Sequence, residues 1–408
     1  MIRWLYRLFV LLICLVLLFL NVGLYLPTAD SYGTAAIPDS AVSQLHFVGE
    51  ALHDGAGADM QGLFPEGYFF SHVLYGLSWV QVGLRTEGEL RAEAFHEARW
   101  ALEQLDTTGR LTFSHDLDPP YGVFYVGWKN WLRGGILLLD PTDSETQRRF
   151  EEDCAALAAA FESSDTPFLT AYPNMAWPVD SVVGIAALSL HDHLLTPRYE
   201  TTISRWTDMA QERLDPVTGL LPHRVEPITG ERLETARGSS QSIILRFLPE
   251  IDPAWASEQY AASRSQFVGF VGTVPGIREY PIGVDGEGDV DSGPLVNGLS
   301  ASATVVTMGT AFIHGDRELG ETFFHIGESA GIPITLGNTR RYAFGVLPVG
   351  DAFLVWSQTA IPFIARPAPT AFPDVVSFWW RLPLHLLSLG LVVLLLIPEW
   401  RRRRKYVT

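Results

Sequence analysis

Six turn-rich segments recur along the chain at nearly equal intervals, each leading into an apolar stretch: Phe64 to Tyr68, Pro119 to Gly122, Trp177 to Asp180, Ala236 to Ser239, Asp291 to Pro294 and Tyr342 to Gly345. Counted from Glu66, Tyr121, Pro178, Arg237, Ser292 and Gly345, the steps are 55, 57, 59, 55 and 53 residues. A fixed period of this kind marks a supersecondary unit that cannot bury its apolar face alone and stacks on its neighbours to do so.

Between the turn-led segments lie helices of a second kind, polar on one face. They run roughly from Asp39 to Asp54, Gly88 to Asp106, Asp143 to Ser164, Pro197 to Leu214, Pro253 to Phe270 and Asp316 to Ala330. In the third, Phe150, Cys154, Leu157 and Phe161 share one face while Arg148, Arg149, Glu151 and Glu152 point away, the pattern of a surface helix. The turn-led stretches, such as Val182 to Leu190 and Leu299 to Phe312, are apolar or small nearly all round, as helices buried on every side are. Six outer and six inner helices predict an all-α fold, an (α/α)6 toroid with short β-hairpins on one rim. An α-solenoid is the alternative, disfavoured because the inner helices are too apolar to line an open concave surface. A hairpin is expected within Pro222 to Glu234, and the sixth inner element, Tyr342 to Trp356, reads partly as a hairpin before any helix.

The two ends add a membrane expectation. Leu8 to Leu26 is a 19-residue apolar run behind Arg3 and Arg7, long enough to cross a bilayer. A second candidate, about Phe378 to Ile397, contains Arg381, Pro383 and His385 and is followed by Arg401 to Arg404 and Lys405. Basic flanks at both ends predict cytoplasmic termini and a central region on the other side of the membrane. The expected organisation is an N-terminal anchor over 1–27, an extracytoplasmic toroid over 28–374, a transmembrane helix over 375–398 and a basic tail over 399–408. A cleaved signal peptide is the rival reading of the first run, although Thr34-Ala35-Ala36 is a poor cleavage site lying well beyond it.

The net charge of −17 includes about +6 in the two tails, so the body carries about −23. A surface so acidic disfavours nucleic acid as a partner. Cys14 and Cys154 are the only cysteines, and with Cys14 in the first apolar run no disulfide is expected to staple the body.

All six inner helices of a toroid enter from one end, so the residues just before them converge on one mouth. Asp180 in the third repeat and Asp291 in the fifth are expected to face one another there as acid and base, with Asp289 and Glu279 as further carboxyl candidates. The segment from Glu279 through Asp285, Glu287, Asp289 and Asp291 places five carboxylates within thirteen residues, and their mutual repulsion suits a proton donor. Tyr121, Tyr125, Tyr172, Trp177 and Tyr280 are expected as aromatic walls, and His115, His223 and Arg237 as polar ligand contacts. Two other readings of the acidic segment stay open: a calcium loop at Asp285, Glu287 and Asp289, and an aspartate that merely caps the following helix. Asp180 has the same capping alternative. No metal and no cofactor is otherwise expected.

The six-hairpin arrangement, with aromatics and carboxylates at one mouth, resembles the (α/α)6 toroids of glycoside hydrolases, sugar epimerases and polysaccharide lyases. It is more weakly similar to the linalool dehydratase/isomerase toroid, whose site cysteines have no counterpart here. The resemblance spans about Asp39 to Ala360 and implies a membrane-anchored glycoside hydrolase-like enzyme acting on a carbohydrate. A lyase, dehydratase or isomerase on a small or lipid-like substrate, and a non-catalytic module of the cell envelope, are the alternatives.

Overall fold

The computed structural model describes residues 2–26, 37–364 and 372–404. Thr34-Ala35-Ala36 and Lys405 lie outside the described residues. Fifteen helices are described in these segments: α1 (Ile2–Gly23), α2 (Asp39–His53), α3 (Ala56–Leu63), α4 (Gly67–Gly83), α5 (Gly88–Thr107), α6 (Gly122–Leu139), α7 (Ser144–Ser163), α8 (Pro178–Leu194), α9 (Glu200–Gln211), α10 (Gly238–Phe247), α11 (Pro253–Phe267), α12 (Ala301–Ile313), α13 (Arg317–Ala330), α14 (Pro348–Gln358) and α15 (Leu382–Arg404).

The inner helices close a ring. Helix α4 packs on α6, α6 on α8, α8 on α10, α10 on α12, α12 on α14, and α14 returns to α4. Helices α5, α7, α9, α11, α13 and α2 lie outside them. The architecture is therefore a six-hairpin toroid, and its closure excludes the solenoid. Local chemistry starts several of these helices where the chain needs them. Asp143, Asp252 and Asp316 accept hydrogen bonds from the first free N–H groups of α7, α11 and α13.

Inner helices approach closely through small residues. A Cβ on Gly127 of α6 would lie 3.0 Å from the backbone nitrogen of Gly184 in α8, so these two helices meet backbone to backbone. With no disulfide, a buried ion cluster adds a further tie: Arg133 of α6 donates to Asp106 at 2.9 and 3.0 Å and reaches Asp153 of α7, with Lys129 beside both carboxylates.

The pore is blocked. Phe70 meets Phe124 and Phe353 at 5.4 and 5.3 Å between ring centres, Trp128 meets Phe247 and Trp356, and Trp131 stacks on Phe363 at 4.9 Å. The mouth expected of the ring lies at the end where the inner helices begin.

The long connections at that end carry short strands. Strands β1 (Arg224–Val225) and β2 (Arg232–Glu234) pair antiparallel, as do β7 (Ile334–Leu336) and β8 (Thr339–Arg341). Between α11 and α12 the order β3-β4-β6-β5 forms a four-stranded sheet from Val268–Val271, Val274–Arg278, Leu299–Ser300 and Leu295–Val296. This sheet corrects two expected boundaries. The fifth outer helix ends at Phe267 rather than Phe270, and the fifth inner helix starts at Ala301 rather than Leu299. The cause is a tight Asn297-Gly298 hairpin, both residues at positive φ, that turns the chain before the helix can begin.

Helix Arg3–Gly23 is long and apolar enough to cross a membrane; among the described residues it is the one that meets that length, Leu382–Pro398 being shorter. The expected pair of full-length spans is thus reduced to one and a shorter apolar partner. The helix α15 starts at Leu382, and the preceding Val376 and Trp380 are buried in a second core with Leu24, Phe323 and Leu319.

Candidate functional site at the mouth of the ring

Asp180 stands in the first turn of α8, but Trp177 is the N-cap and no side chain caps this helix. The capping alternative is thereby removed. Its carboxyl is buried and accepts no hydrogen bond from the described residues. Burial, with added repulsion from Asp291 and Glu66, pushes its pKa well above the usual carboxylate range.

Asp291 is free of a capping role as well, because Ser300 caps α12 by accepting from the Ala303 N–H at 3.1 Å. It sits in a loop pinned at both sides: Asp289 Oδ1 accepts from the Asp291 and Ser292 N–H groups at 3.0 and 3.1 Å, and Ser302 donates to the Asp291 carbonyl at 2.8 Å. The residue remains exposed. The surrounding protein, then the charges of Asp289 and Glu66, raise its pKa to about 7, against the opposing pull of Arg237. Asp180 and Asp291, from non-adjacent repeats, therefore lie in one electrostatic neighbourhood.

Glu66 completes it. As the residue before α4 it occupies the same station in repeat one that Trp177 does in repeat three, and its carboxylate accepts a hydrogen bond from the Tyr172 hydroxyl. Burial and then the Glu66 charge push the Tyr172 pKa upward, so Tyr172 stays a neutral donor. Glu66 is thus a participant beside the two aspartates. Its position immediately ahead of an inner helix is the sequence signal that marks it.

A second layer surrounds Arg237. Its Nε donates to Glu279 at 2.7 Å, Nη2 ion-pairs with Asp289 at 2.6 Å, Nη1 lies 3.3 Å from His223 Nε2, and the guanidinium covers the Tyr280 ring. Glu279 is fully enclosed and also accepts from the Ser239 hydroxyl and N–H at 2.7 and 3.1 Å. Burial raises its pKa, and those contacts only partly offset the shift. Glu279 thus holds Arg237 and the start of α10 instead of reaching the mouth. Burial also works against Asp289, yet the Ser292 N–H and Arg237 outweigh it and hold that carboxylate below its usual range. His223, buried and then repelled by Arg237, falls to about 3 and is neutral at physiological pH, with Nδ1 2.5 Å from Ser240 Oγ.

Among the described residues one set of possible cation ligands converges. Ligand atoms of His223, Asp289 and Asp291 lie within 4.8 Å of one another. The Arg237 guanidinium already bridges two of the three, His223 and Asp289, and supplies the positive charge that a metal would bring. The expected trio of Asp285, Glu287 and Asp289 is not the one that converges. Asp285 points to solvent with Arg278 at 3.3 Å, and Glu287 is exposed.

The aromatic candidates divide. Tyr172 and Trp177 meet edge to face at 5.9 Å, and Tyr121 meets the exposed His115 at 5.2 Å, so these four line the rim. Tyr280 lies partly buried over Arg237, its hydroxyl donating to the Glu287 carbonyl at 2.9 Å. Tyr125 is placed differently from expectation: one helical turn into α6 it faces outward, is buried, and donates to the Leu105 carbonyl of α5 at 2.9 Å. It belongs to the core.

No known family's sequence profile matches the chain, and no curated protein does. A solved GH76 alpha-mannanase from Bacteroides thetaiotaomicron, studied as a selenomethionine derivative, is similar in outline at a TM-score of 0.44 and 11% identity, over 71% of this chain and 85% of that one. At that depth the likeness says nothing about which residues act.

Proposed function

We propose that this chain is a glycoside hydrolase-like enzyme, with Asp180 as proton donor and Asp291 as base. The observation that supports the reading is the pairing of two raised carboxyls on non-adjacent repeats of one mouth, neither capping a helix, between aromatic walls. In the reaction the Asp180 O–H protonates the glycosidic oxygen as the bond to the anomeric carbon breaks. Asp291 takes a proton from a water, whose oxygen attacks that carbon; the product is a free hydroxyl on each fragment, and the two carboxyls exchange the proton through solvent. Asp291 is written as base toward water, the role that accompanies inversion of configuration. Tyr172, Trp177 and Tyr121 would stack on sugar faces, and Tyr172, oriented by Glu66, would donate to a sugar hydroxyl.

The reading includes a membrane anchor. Helix α1 supports it by length and by being built into the fold, since Leu24 just after it is 3% exposed. The termini would be cytoplasmic and the toroid extracytoplasmic.

The test is a glycan panel against the full chain in detergent, with Asp180→Asn and Asp291→Asn. Each variant is expected to lose about 10²- to 10⁴-fold in turnover, and NMR of the first product is expected to show the inverted anomer. Wild-type rates in both variants of an active preparation would defeat the assignment.

A further inference from the structure

The direction in which α1 and α15 leave the toroid bears on what can reach the mouth. Outer helices run opposite to inner ones, so the mouth end is the C-terminal end of every outer helix, including α13. Along α13 the N-terminal segment makes an ordered series of contacts: Ser329 donates to the Leu20 carbonyl at 2.7 Å, Gly23 abuts the Glu328 carbonyl, and His325 Nε2 lies 2.9 Å from the Leu26 carbonyl. The chain therefore comes from beyond the mouth end and descends along α13.

The C-terminal segment retraces that path upward. Arg381 lies 3.0 Å from His325 Nδ1 and donates to the Leu24 carbonyl at 3.0 Å. His385 then bonds Asn21 at 2.5 Å and Tyr25 at 2.6 Å, Asn21 donates to Ser388 at 2.9 Å, and Tyr6 donates to the Leu395 carbonyl at 2.5 Å. Helices α1 and α15 thus form an antiparallel pair that stands up from the rim on the mouth side. Aromatics mark both ends of the pair, Trp4 and Trp400 at the far end and Tyr25 and Trp379 at the near one, all exposed, as at two bilayer interfaces. The rim beside the pair, between α13 and α14, is apolar and exposed too: Leu336, Phe344, Val346 and Leu347 have no core role, and Val346 is 76% exposed.

We infer that the mouth opens toward the membrane surface and that the substrate is a glycan carried by a membrane lipid. This rests on the glycosidase reading for its chemistry and on the helix pair for its orientation. The rim residues dip into the bilayer interface, the anchor fixes the tilt, and the sugar of a lipid in the same leaflet reaches Asp180 and Asp291 without leaving the membrane. A soluble polysaccharide would have to enter sideways.

Orientation is tested without activity. The full chain with Cys14→Ala, which leaves only the buried Cys154, is labelled with a fluorophore at Val346→Cys, Leu336→Cys or, at the opposite end, the exposed Thr196→Cys, and placed in phosphatidylcholine vesicles containing brominated lipid. Quenching at 346 and 336 and none at 196 is the expected result; quenching at neither end, at both, or at 196 alone overturns it. The substrate is tested with dihexosyl diacylglycerols in those vesicles against the same free disaccharides. The lipid-borne form is expected to turn over faster at equal bulk concentration, and Val346→Asp to remove that advantage while leaving free disaccharide hydrolysis unchanged. Equal or faster turnover of the free sugar overturns the substrate class, whereas absence of turnover on either form defeats the glycosidase reading and leaves orientation to the labels.

Discussion

A carboxyl that is buried and accepts no hydrogen bond lowers stability once it ionises, and Asp180 is in that position. Its folded pKa is above the unfolded value, so the folded state binds the proton more tightly; stability is highest below the unfolded pKa of about 4 and falls as pH rises from there toward the folded pKa. Asp180→Asn, which keeps the shape without the charge, is therefore expected to combine its loss of turnover with a gain in stability of about 0.5–2 kcal/mol at pH 8, and a smaller gain at pH 4, measured by thermal unfolding at both. Asp289→Asn is expected to act on pH dependence. The like charge beside Asp291 disappears and Arg237 is released, and both changes lower the Asp291 pKa from about 7. The acid limb of the rate profile, where Asp291 must lose its proton, should move to lower pH, while the retained amide oxygen keeps the loop's N–H contacts. A limb that stays in place or moves upward would remove Asp291 as the base. Asp180, in the first turn of one inner helix, and Asp291, in the connection leading to another, were visible in the sequence through the turn-rich segments that hold them. The sequence could not show which face a residue presents after the helix begins, and so Tyr125, one turn into α6, turned out to serve the core, and Glu279 to be enclosed by Arg237 and Ser239.

At the scale of elements, periodicity was the most legible signal, because a helix that is apolar all round can only be an inner one. The outer helices begin and end within a few residues of expectation since aspartates cap several of them. The departures have local chemical causes. The Asn297-Gly298 turn was present in the sequence, but the apolar run that follows it reads as helix from Leu299, and only strand pairing with β4 shows that Leu299 and Ser300 are extended. In the sixth repeat the β7–β8 hairpin occupies the connection and leaves α14 only 11 residues. The backbone contact of α6 with α8 gives a sharp test. Gly127→Ala places a methyl against the Gly184 nitrogen, where no flexible side chain can give way, and should cost about 1–3 kcal/mol. Gly62→Ala, where an added Cβ meets open space on α3, should cost nothing measurable or add slightly to stability. Equal melting temperatures for the two variants would mean that α6 and α8 are not in backbone contact.

Over the whole molecule, the apolar ends and the toroid are one packed object rather than a domain on strings. Sequence reasoning separates an anchor from a body because hydropathy changes abruptly near Pro27, but packing does not follow hydropathy. Leu24 belongs to the same core as Phe323 and Trp380, and Arg381 ties that core to His325. This distinguishes a retained anchor from a signal peptide by a stability measurement. If the N-terminal segment stays in the mature protein, Leu24→Ala opens a cavity beside α13 and should cost about 2–5 kcal/mol, whereas Leu18→Ala, on an exposed position of α1, should leave the melting temperature in detergent unchanged. If the segment is removed on export, Leu24→Ala and wild type yield the same mature chain, with the same intact mass and the same unfolding curve. Should that happen, the core that Leu24 fills would have to be closed by something else, and α15 alone would be left to hold the toroid at a membrane, with the 17 residues from Leu382 to Pro398, His385 and Ser388 among them, to span it. At 1.5 Å per residue those 17 reach about 25 Å, short of a hydrocarbon core of about 30 Å. A membrane anchor of full length would therefore depend on α1 remaining in place.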